Sequence, residues 1–400
     1  MNIEFQRKVD RWAGTLICRI FSLFPGKDKK AAGLEPERIL VILLSEMGSL
    51  ILANSMFKEL KRRYPQASIY ALLFERNREI LELVNVMPPE NILTINDKSM
   101  IRFAKDSLKI IRKMPGLRFD TVIDCELFSR VSSIFSYLSG AAIRVGFHRF
   151  TQEGLYRGDF INRPVLYNPY LHIGRQFLGM VEAVQSGTVP AGKRSTTGGE
   201  LSAPRVDFPE VELQNMRAKL HRDFPGIRDR NLVLLYPGGG LLPVRAWPIE
   251  YYGRLSADLL KEGYAVAIIG LEEDKKLART ILSFCQDSRC VDLTGYTKSI
   301  CELLMIFHIS KLLITNDGGP GHFSATTQIP AIILYGPDTP VLYGSLNQRA
   351  HHFFLSLSCS PCLTAFNHRN SPCDGDNRCL KLIAPEKVFA KAIEILKGSS

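Results

Sequence analysis

Leu313-Ile314-Thr315-Asn316-Asp317-Gly318-Gly319-Pro320-Gly321-His322 is the stretch on which the reading of this chain turns. The apolar run 311–315 predicts a short buried strand. Residues 323–328 then open a helix, and 329–337 bring a second strand ending in Gly336-Pro337. A glycine-rich turn between the carboxyl end of a strand and a helix start leaves backbone N–H groups pointing outward, where the helix dipole favours an anion. Adjacent glycines let a phosphate approach the main chain closely. Asp317 supplies an acceptor and His322 a donor beside that turn, so the local chemistry suits a diphosphate-bearing ligand. The alternative is a tight strand-to-helix connection with a capping Asp.

Two further segments repeat the pattern. Residues 232–236 read as a strand running into Pro237-Gly238-Gly239-Gly240, followed by Arg245 and a helix opening at Trp247-Pro248, where a first-turn proline is tolerated. Residues 265–270 form another apolar run ending in Gly270, and Leu271-Glu272-Glu273-Asp274 follows. Three apolar runs, each ending in glycine and each followed by a helical pattern, predict a parallel α/β sheet with ligand loops at its carboxyl edge.

With these motifs in order, the chain from about residue 38 to about 396 resembles glycosyltransferase family 9, whose best-known members are the lipopolysaccharide heptosyltransferases. The resemblance rests on the Asp-x-Gly-Pro-x-His-like turn from Asp317 through Pro337 and on Arg245-Ala246-Trp247-Pro248, similar to the family's basic-x-Trp-Pro signature. It rests also on segments 119–124 and 138–147 of the N-terminal half. It implies an α/β fold of two Rossmann-like domains facing across a cleft (GT-B) and an inverting transfer of a sugar from a nucleotide diphosphate. ADP-heptose is the first donor to expect, and a cell-envelope glycolipid or saccharide such as lipopolysaccharide core the acceptor. It implies no cofactor and no catalytic metal ion.

Composition bounds the partners. Four hundred residues with 46% hydrophobic and 23% charged content fit two globular domains rather than a disordered chain. The net charge of +11 favours acidic partners, but the basic residues are scattered and no aromatic-interleaved basic motif appears, so nucleic acid is not expected. Nine cysteines, an odd number, point to a reducing compartment. Charged residues interrupt the first apolar run and no cleavage site follows, so neither a signal peptide nor a membrane span is expected. The reading is a cytoplasmic protein, peripheral on the inner face of the membrane if the acceptor is lipid-linked.

The domain reading is an amphipathic segment 1–34, an acceptor-binding α/β domain 35–187 and a linker 188–207 rich in Gly, Ser, Thr and Pro. A nucleotide-sugar-binding α/β domain 208–384 follows, with a Cys-rich loop 359–379, and then a C-terminal helix 385–400 that the resemblance returns to the first domain. In the first segment Phe5, Val9, Trp12, Leu16, Ile20 and Leu23 recur at three- and four-residue steps, with Arg7, Lys8, Arg11 and Arg19 mostly off that stripe. Two readings stand: a helix lying on an anionic membrane, or one packed on its own domain. In the first domain, strands are expected at 38–44, 68–73, 91–95, 121–123 and 144–146, with a helix over 50–64.

Site residues follow from what sugar transfer needs. Backbone groups of Gly238, Gly239, Gly240, Gly318 and Gly319 can hold phosphate oxygens, with Asp317 and His322 beside them, and Arg245 can offset leaving-group charge. Glu272 either accepts ribose hydroxyls or is a solvated acid at a helix start. In the family the first strand runs into a Gly-Asp bearing the presumed base, whereas here Gly48-Ser49 stands. Serine needs a neighbouring base to lose its proton, so Glu46, three residues earlier, is the expected base. Glu126, Arg130, Arg144 and Arg149 are acceptor-binding candidates or, equally, ion-pair and surface residues. Cys359, Cys362, Cys373 and Cys379 form a Cys-x-x-Cys and two further thiols, a structural metal site or free thiols. A non-catalytic scaffold and a nucleotide-sugar epimerase remain alternative functions.

Overall fold

The computed structural model describes residues 3–24, 35–44, 47–147, 156–191, 200–240, 242–363, 371 and 373–398. The chain divides into two compact units, Met1–Ser202 and Ala203–Ser400. The first is built on β1 (Arg38–Ile42), β2 (Ser68–Phe74), β3 (Ile92–Ile95), β4 (Thr121–Asp124), β5 (Ile143–Phe147) and β6 (Arg163–Val165). These strands are parallel and ordered β3-β2-β1-β4-β5-β6. The second uses β7 (Leu232–Tyr236), β8 (Ala265–Gly270), β9 (Cys290–Thr294), β10 (Leu312–Asn316), β11 (Ala331–Tyr335) and β12 (Ala350–Phe354), in the order β12-β11-β10-β7-β8-β9. Counted within each unit, both sheets run 3-2-1-4-5-6, the doubly wound order of a Rossmann-like domain.

The strand sequences explain why these sheets are interior. Val233, Leu234, Leu235, Val266, Ala267, Ile268, Leu312, Leu313 and Ile314 are all at 0% exposure. A parallel strand flanked by helices on both faces needs such an unbroken apolar run instead of alternation. The core of the second unit gathers these strands with Trp247, Tyr252 and Leu255, and that of the first joins Leu40, Ile42, Leu72 and Val122 to Met114 and Phe135.

Three expectations about elements are corrected. The helix expected over 50–64 is two, Met47–Leu52 and Asn54–Arg63. The helix after β10 begins at Gly319 rather than at residue 323, so the glycines form its first turn. The last helix, Pro385–Gly398, was expected against the first domain; it packs in the second, where Val388 and Ala392 enter the core beside Trp247.

The N-terminal segment is one helical rod, Ile3–Val9 and Thr15–Ser22 joined through a π-turn at Asp10–Gly14. One side packs on the first unit. The Asp10 carboxylate accepts the backbone N–H groups of Arg130 (2.9 Å) and Val131 (3.0 Å), capping the helix Arg130–Leu138. A Cβ on Gly14 would lie 2.8 Å from that of Arg130, so the close approach there requires glycine. Cys18 is fully buried and Phe21 stacks on Tyr137 with centroids 4.4 Å apart. Among the described residues no helix is long and apolar enough to cross a membrane.

Candidate functional site

In a doubly wound sheet the crevice for a ligand opens where the strand order reverses, between the first and fourth strands. In the second unit those strands are β7 and β10, and the two glycine-rich turns leave from their carboxyl ends. Asn316, the last residue of β10, joins the turns. Its Nδ2 donates to the carbonyls of Pro237 (2.9 Å) and Gly238 (3.0 Å), while its Oδ1 accepts from Trp247 N (3.0 Å) and the Tyr252 hydroxyl (3.1 Å). All four hydrogen-bonding positions of a fully buried amide are thus used. Trp247 itself is structural: it is buried and donates its Nε1–H to Ile383 O.

The glycines are required for different reasons. A Cβ on Gly239 would sit 2.7 Å from Leu242 O, and Gly240 has φ +57°, so neither place accommodates an ordinary side chain without strain. Gly318 is the opposite case, in extended backbone with open space where a Cβ would point. The Tyr236 hydroxyl lies beneath the 238–240 turn, and burial, with Asp274 and Glu273 nearby, pushes its pKa up to about 12, so it stays protonated.

Arg245 enters from the 3-10 turn Pro243–Arg245. Its Nη2 is paired with Asp338, and its Nε lies 3.6 Å from Asp317 Oδ2. Both carboxylates are buried, with Asp338 at 0% exposure. His322, nearly buried, is in the first turn of the helix Gly319–Thr327. Asp317, Arg245 and the glycine turns therefore lie together at the carboxyl ends of β7 and β10. Glu272 is exposed and paired with Lys275, the arrangement of a solvated acid at a helix start. Asp274 does the inward work there, its Oδ2 accepting from Leu271 N (2.8 Å) and its Oδ1 lying beside Gly238.

The equivalent place in the first unit lies between β1 and β4. The Glu126 carboxylate accepts the N–H of Leu44 (2.7 Å), and Asn77 Nδ2 donates to Leu44 O (2.7 Å), which holds the end of the β1 segment against its neighbours. Ser49 lies in the helix Met47–Leu52. Glu46 and Arg149 fall outside the described residues. Arg130 and Arg144, read as acceptor-binding candidates, are engaged in packing. Arg130 is buried and paired with Asp10 (3.3 Å), and buried Arg144 donates to the carbonyls of Phe160 (2.7 Å) and Ala141. Their charges are taken up inside the unit.

The four cysteines of the loop behave differently from a metal cage. Cys359 and Cys373 are exposed, Cys362 is half-buried with its thiol 3.1 Å from the Ser371 hydroxyl, and Cys379 is buried beside Gly336. Burial raises the Cys362 and Cys379 thiols above their ordinary pKa. Among the described residues no group of three or more His, Cys, Asp or Glu is placed to hold a metal ion, so the tetrahedral arrangement is not formed.

Sequence reasoning passed over Asn316, Asp338 and Asp274. Asn316 stood inside the deciding stretch, and a polar residue closing an otherwise apolar strand was the signal for it. Asp338 follows Gly336-Pro337 directly, the strand-end position that drew attention to Asp317.

Comparison with known proteins agrees with this geometry. The profile of glycosyltransferase family 9 (heptosyltransferase) matches residues 107–371. Lipooligosaccharide heptosyltransferase 2 of Haemophilus influenzae is 30% identical over 322 residues, 78% of this chain and 87% of that protein. Lipopolysaccharide heptosyltransferase 2 of Salmonella typhimurium is 23% identical over 378 residues, 90% of this chain and 98% of that one. The fold matches a solved structure of the E. coli ADP-heptose lipopolysaccharide heptosyltransferase II with TM-score 0.71 at 21% identity, covering 90% of this chain and 99% of that one. A match over 107–371 takes in β4 and the Asp124–Arg130 turn as well as both glycine turns, and with it the chain belongs to glycosyltransferase family 9 and is a glycosyltransferase.

Proposed function

We propose that this glycosyltransferase moves a heptose-like sugar from a nucleotide diphosphate, ADP-heptose first, onto a cell-envelope glycolipid or saccharide such as lipopolysaccharide core. The observation that carries this reading is the pair of glycine turns at the β7/β10 reversal, braced by Asn316 and accompanied by Arg245. Backbone amides around Gly238–Gly240 and Gly318–Gly319 hold the pyrophosphate, and Arg245 offsets the charge that grows on it as the bond to the sugar breaks. Asp317 and Asp338 hold the guanidinium in place before the ligand arrives. A guanidinium carries five N–H donors, so it keeps some for phosphate while paired. His322 donates to phosphate or sugar, and Glu272 remains a candidate for the ribose.

On the acceptor side, Glu46 is the proposed base, assigned from its place in the sequence because Ser49 cannot take a proton unaided. Glu126 and Arg149 are the proposed acceptor contacts. A glycolipid acceptor sets the reaction at the cytoplasmic face of the membrane.

The test is a thermal-shift screen of ADP- and UDP-sugars followed by mass analysis of acceptor treated with the stabilising donor. Glu46→Gln is expected to keep donor binding and lower turnover by about 10²- to 10⁴-fold, the worth of general-base catalysis. Absence of affinity for every nucleotide and nucleotide-sugar ends the reading. Donor consumed without acceptor assigns the chain to epimerase chemistry instead.

A further inference from the structure

The N-terminal rod has two unlike sides. Asp10, Gly14, Cys18 and Phe21 face the first unit, and the inward side is further fastened by Ser22, whose hydroxyl is 2.9 Å from that of Tyr156 and accepts Asp159 N (2.8 Å). The outward side presents Trp12, Leu16, Ile20, Leu23 and Phe24, between 47% and 76% exposed. A helix that had only to pack on its domain would carry polar residues there. Five large apolar side chains in one band are instead an unpartnered face.

Charge identifies the occupant. Arg7, Lys8, Arg11 and Arg19 are all exposed on the same rod. The only acid among residues 6–24 is Asp10, which is turned inward onto Arg130 and the Val131 N–H. An apolar band bordered by cations, with Asp10 withdrawn, is complementary to an anionic lipid surface: the apolar side chains enter the acyl boundary and the basic ones meet the headgroups. A second protein chain would gain nothing from the exposed cations Lys8, Arg11 and Arg19 around its contact.

We propose that the outward face of the helix 12–24 is a docking surface for an anionic bilayer, holding the first unit against the membrane with the rod in the plane of the interface. The inference deepens the glycolipid-acceptor reading and rests on it for the biological reason to be at a membrane. The binding itself is a separate property of the rod.

The two tryptophans make the test direct. Trp12 is 76% exposed and Trp247 is 1% exposed, so a change in emission on adding vesicles reports Trp12 alone. With phosphatidylglycerol-containing vesicles the full chain is expected to float and its emission to move to shorter wavelength; with pure phosphatidylcholine the effect is much weaker. Arg11→Ala with Arg19→Ala weakens binding to the anionic vesicles roughly 25-fold, about fivefold for each charge near the surface. Leu16→Ser with Ile20→Ser and Leu23→Ser abolishes flotation, while the buried Trp247 emission and the thermal shift with nucleotide-sugars stay as in the parent, showing that the fold and the donor site are intact. Equal flotation of parent and triple variant, or no emission change with any lipid, overturns the proposal. An emission shift that grows with protein concentration in the absence of vesicles, together with a doubled mass, gives the face to a second copy and overturns it as well. Failure of donor binding with flotation preserved removes the enzymatic reading and leaves this one standing.

Discussion

The fourth strand of each sheet ends on a fully buried polar residue, Asp124 in the first unit and Asn316 in the second, and the two are satisfied in opposite ways. Asn316 is neutral and spends its amide on main-chain groups of the neighbouring turn, so it shapes the loop that holds the proposed ligand. Asp124 is charged, and it pairs with the fully buried Arg157 while also accepting from the Ser132 hydroxyl (3.1 Å) and from Glu126 N (3.1 Å). A buried carboxylate needs a cation, whereas a buried amide needs only hydrogen bonds. The same topological position therefore supplies a charge lock that ties a distant segment down in one unit and a brace between two glycine turns in the other.

That contrast can be broken experimentally. Arg157→Ala leaves Asp124 buried without its cation and is expected to destabilise the chain by about 3–5 kcal/mol in a urea titration. Asp124→Asn combined with Arg157→Met should recover most of that loss, and failure to recover would mean that the pair does more than neutralise itself. In the second unit the largest expected effect is on rate. Arg245→Ala lowers kcat/KM by about 10²- to 10³-fold, measured against the parent once donor and acceptor are known, and it also lowers the unfolding midpoint because it leaves the buried Asp338 and Asp317 carboxylates without their cation.

Asn316→Ala removes the partners of Trp247 N and of the Pro237 and Gly238 carbonyls, and costs at least about 3 kcal/mol at the one to three expected for each of the three stranded groups. Asn316→Asp keeps the acceptor side but not the donors, so it should loosen the 237–240 turn and weaken nucleotide binding more than it lowers the melting temperature. Gly318→Ala sharpens the same point. Its Cβ would enter open space from extended backbone, so stability should change by less than about 0.5 kcal/mol. Nucleotide affinity measured by calorimetry should nonetheless fall, because that space is where the phosphate is proposed to sit.

The smallest effect lies at the sheet edge. Burial holds the His352 imidazole, edge-on to Tyr335, below the 6.5 of an exposed histidine, as it does His351 beside it. As pH falls below about 6.5 the unfolded chain takes up protons before the folded chain does, so stability declines toward acid. His352→Phe should flatten part of that slope below pH 6.5 and leave stability at pH 8 nearly unchanged; an unaltered slope would place the titration at other groups.

Several features were legible because they depend on local pattern. The runs 232–236 and 265–270 are strands from end to end, since an unbroken apolar run bounded by glycine has few other outcomes in a buried parallel sheet. Arg245 and Asp317 meet because both sit just past neighbouring strand ends. The reading was weaker where a side chain's partner is remote in sequence. Arg130 and Arg144 looked available for an acceptor, but nothing nearby announced that Asp10, 120 residues away, or the carbonyl of Phe160 would claim them. The cysteines read as a potential cage because spacing is all a sequence offers, while the cage needs four sulfurs brought together in space.

By itself, the order of residues determined that this chain folds as two parallel-sheet domains with glycine turns at strand ends, because periodicity and turn chemistry are local and each repeats several times. Tertiary structure alone decided which charges are consumed internally, that Asn316 braces the 237–240 turn while Asp338 pairs with Arg245, and which side of the N-terminal rod is left bare. Those outcomes depend on contacts between segments far apart in sequence, whose meeting is set by the packing of the whole sheet and not by any one stretch of it.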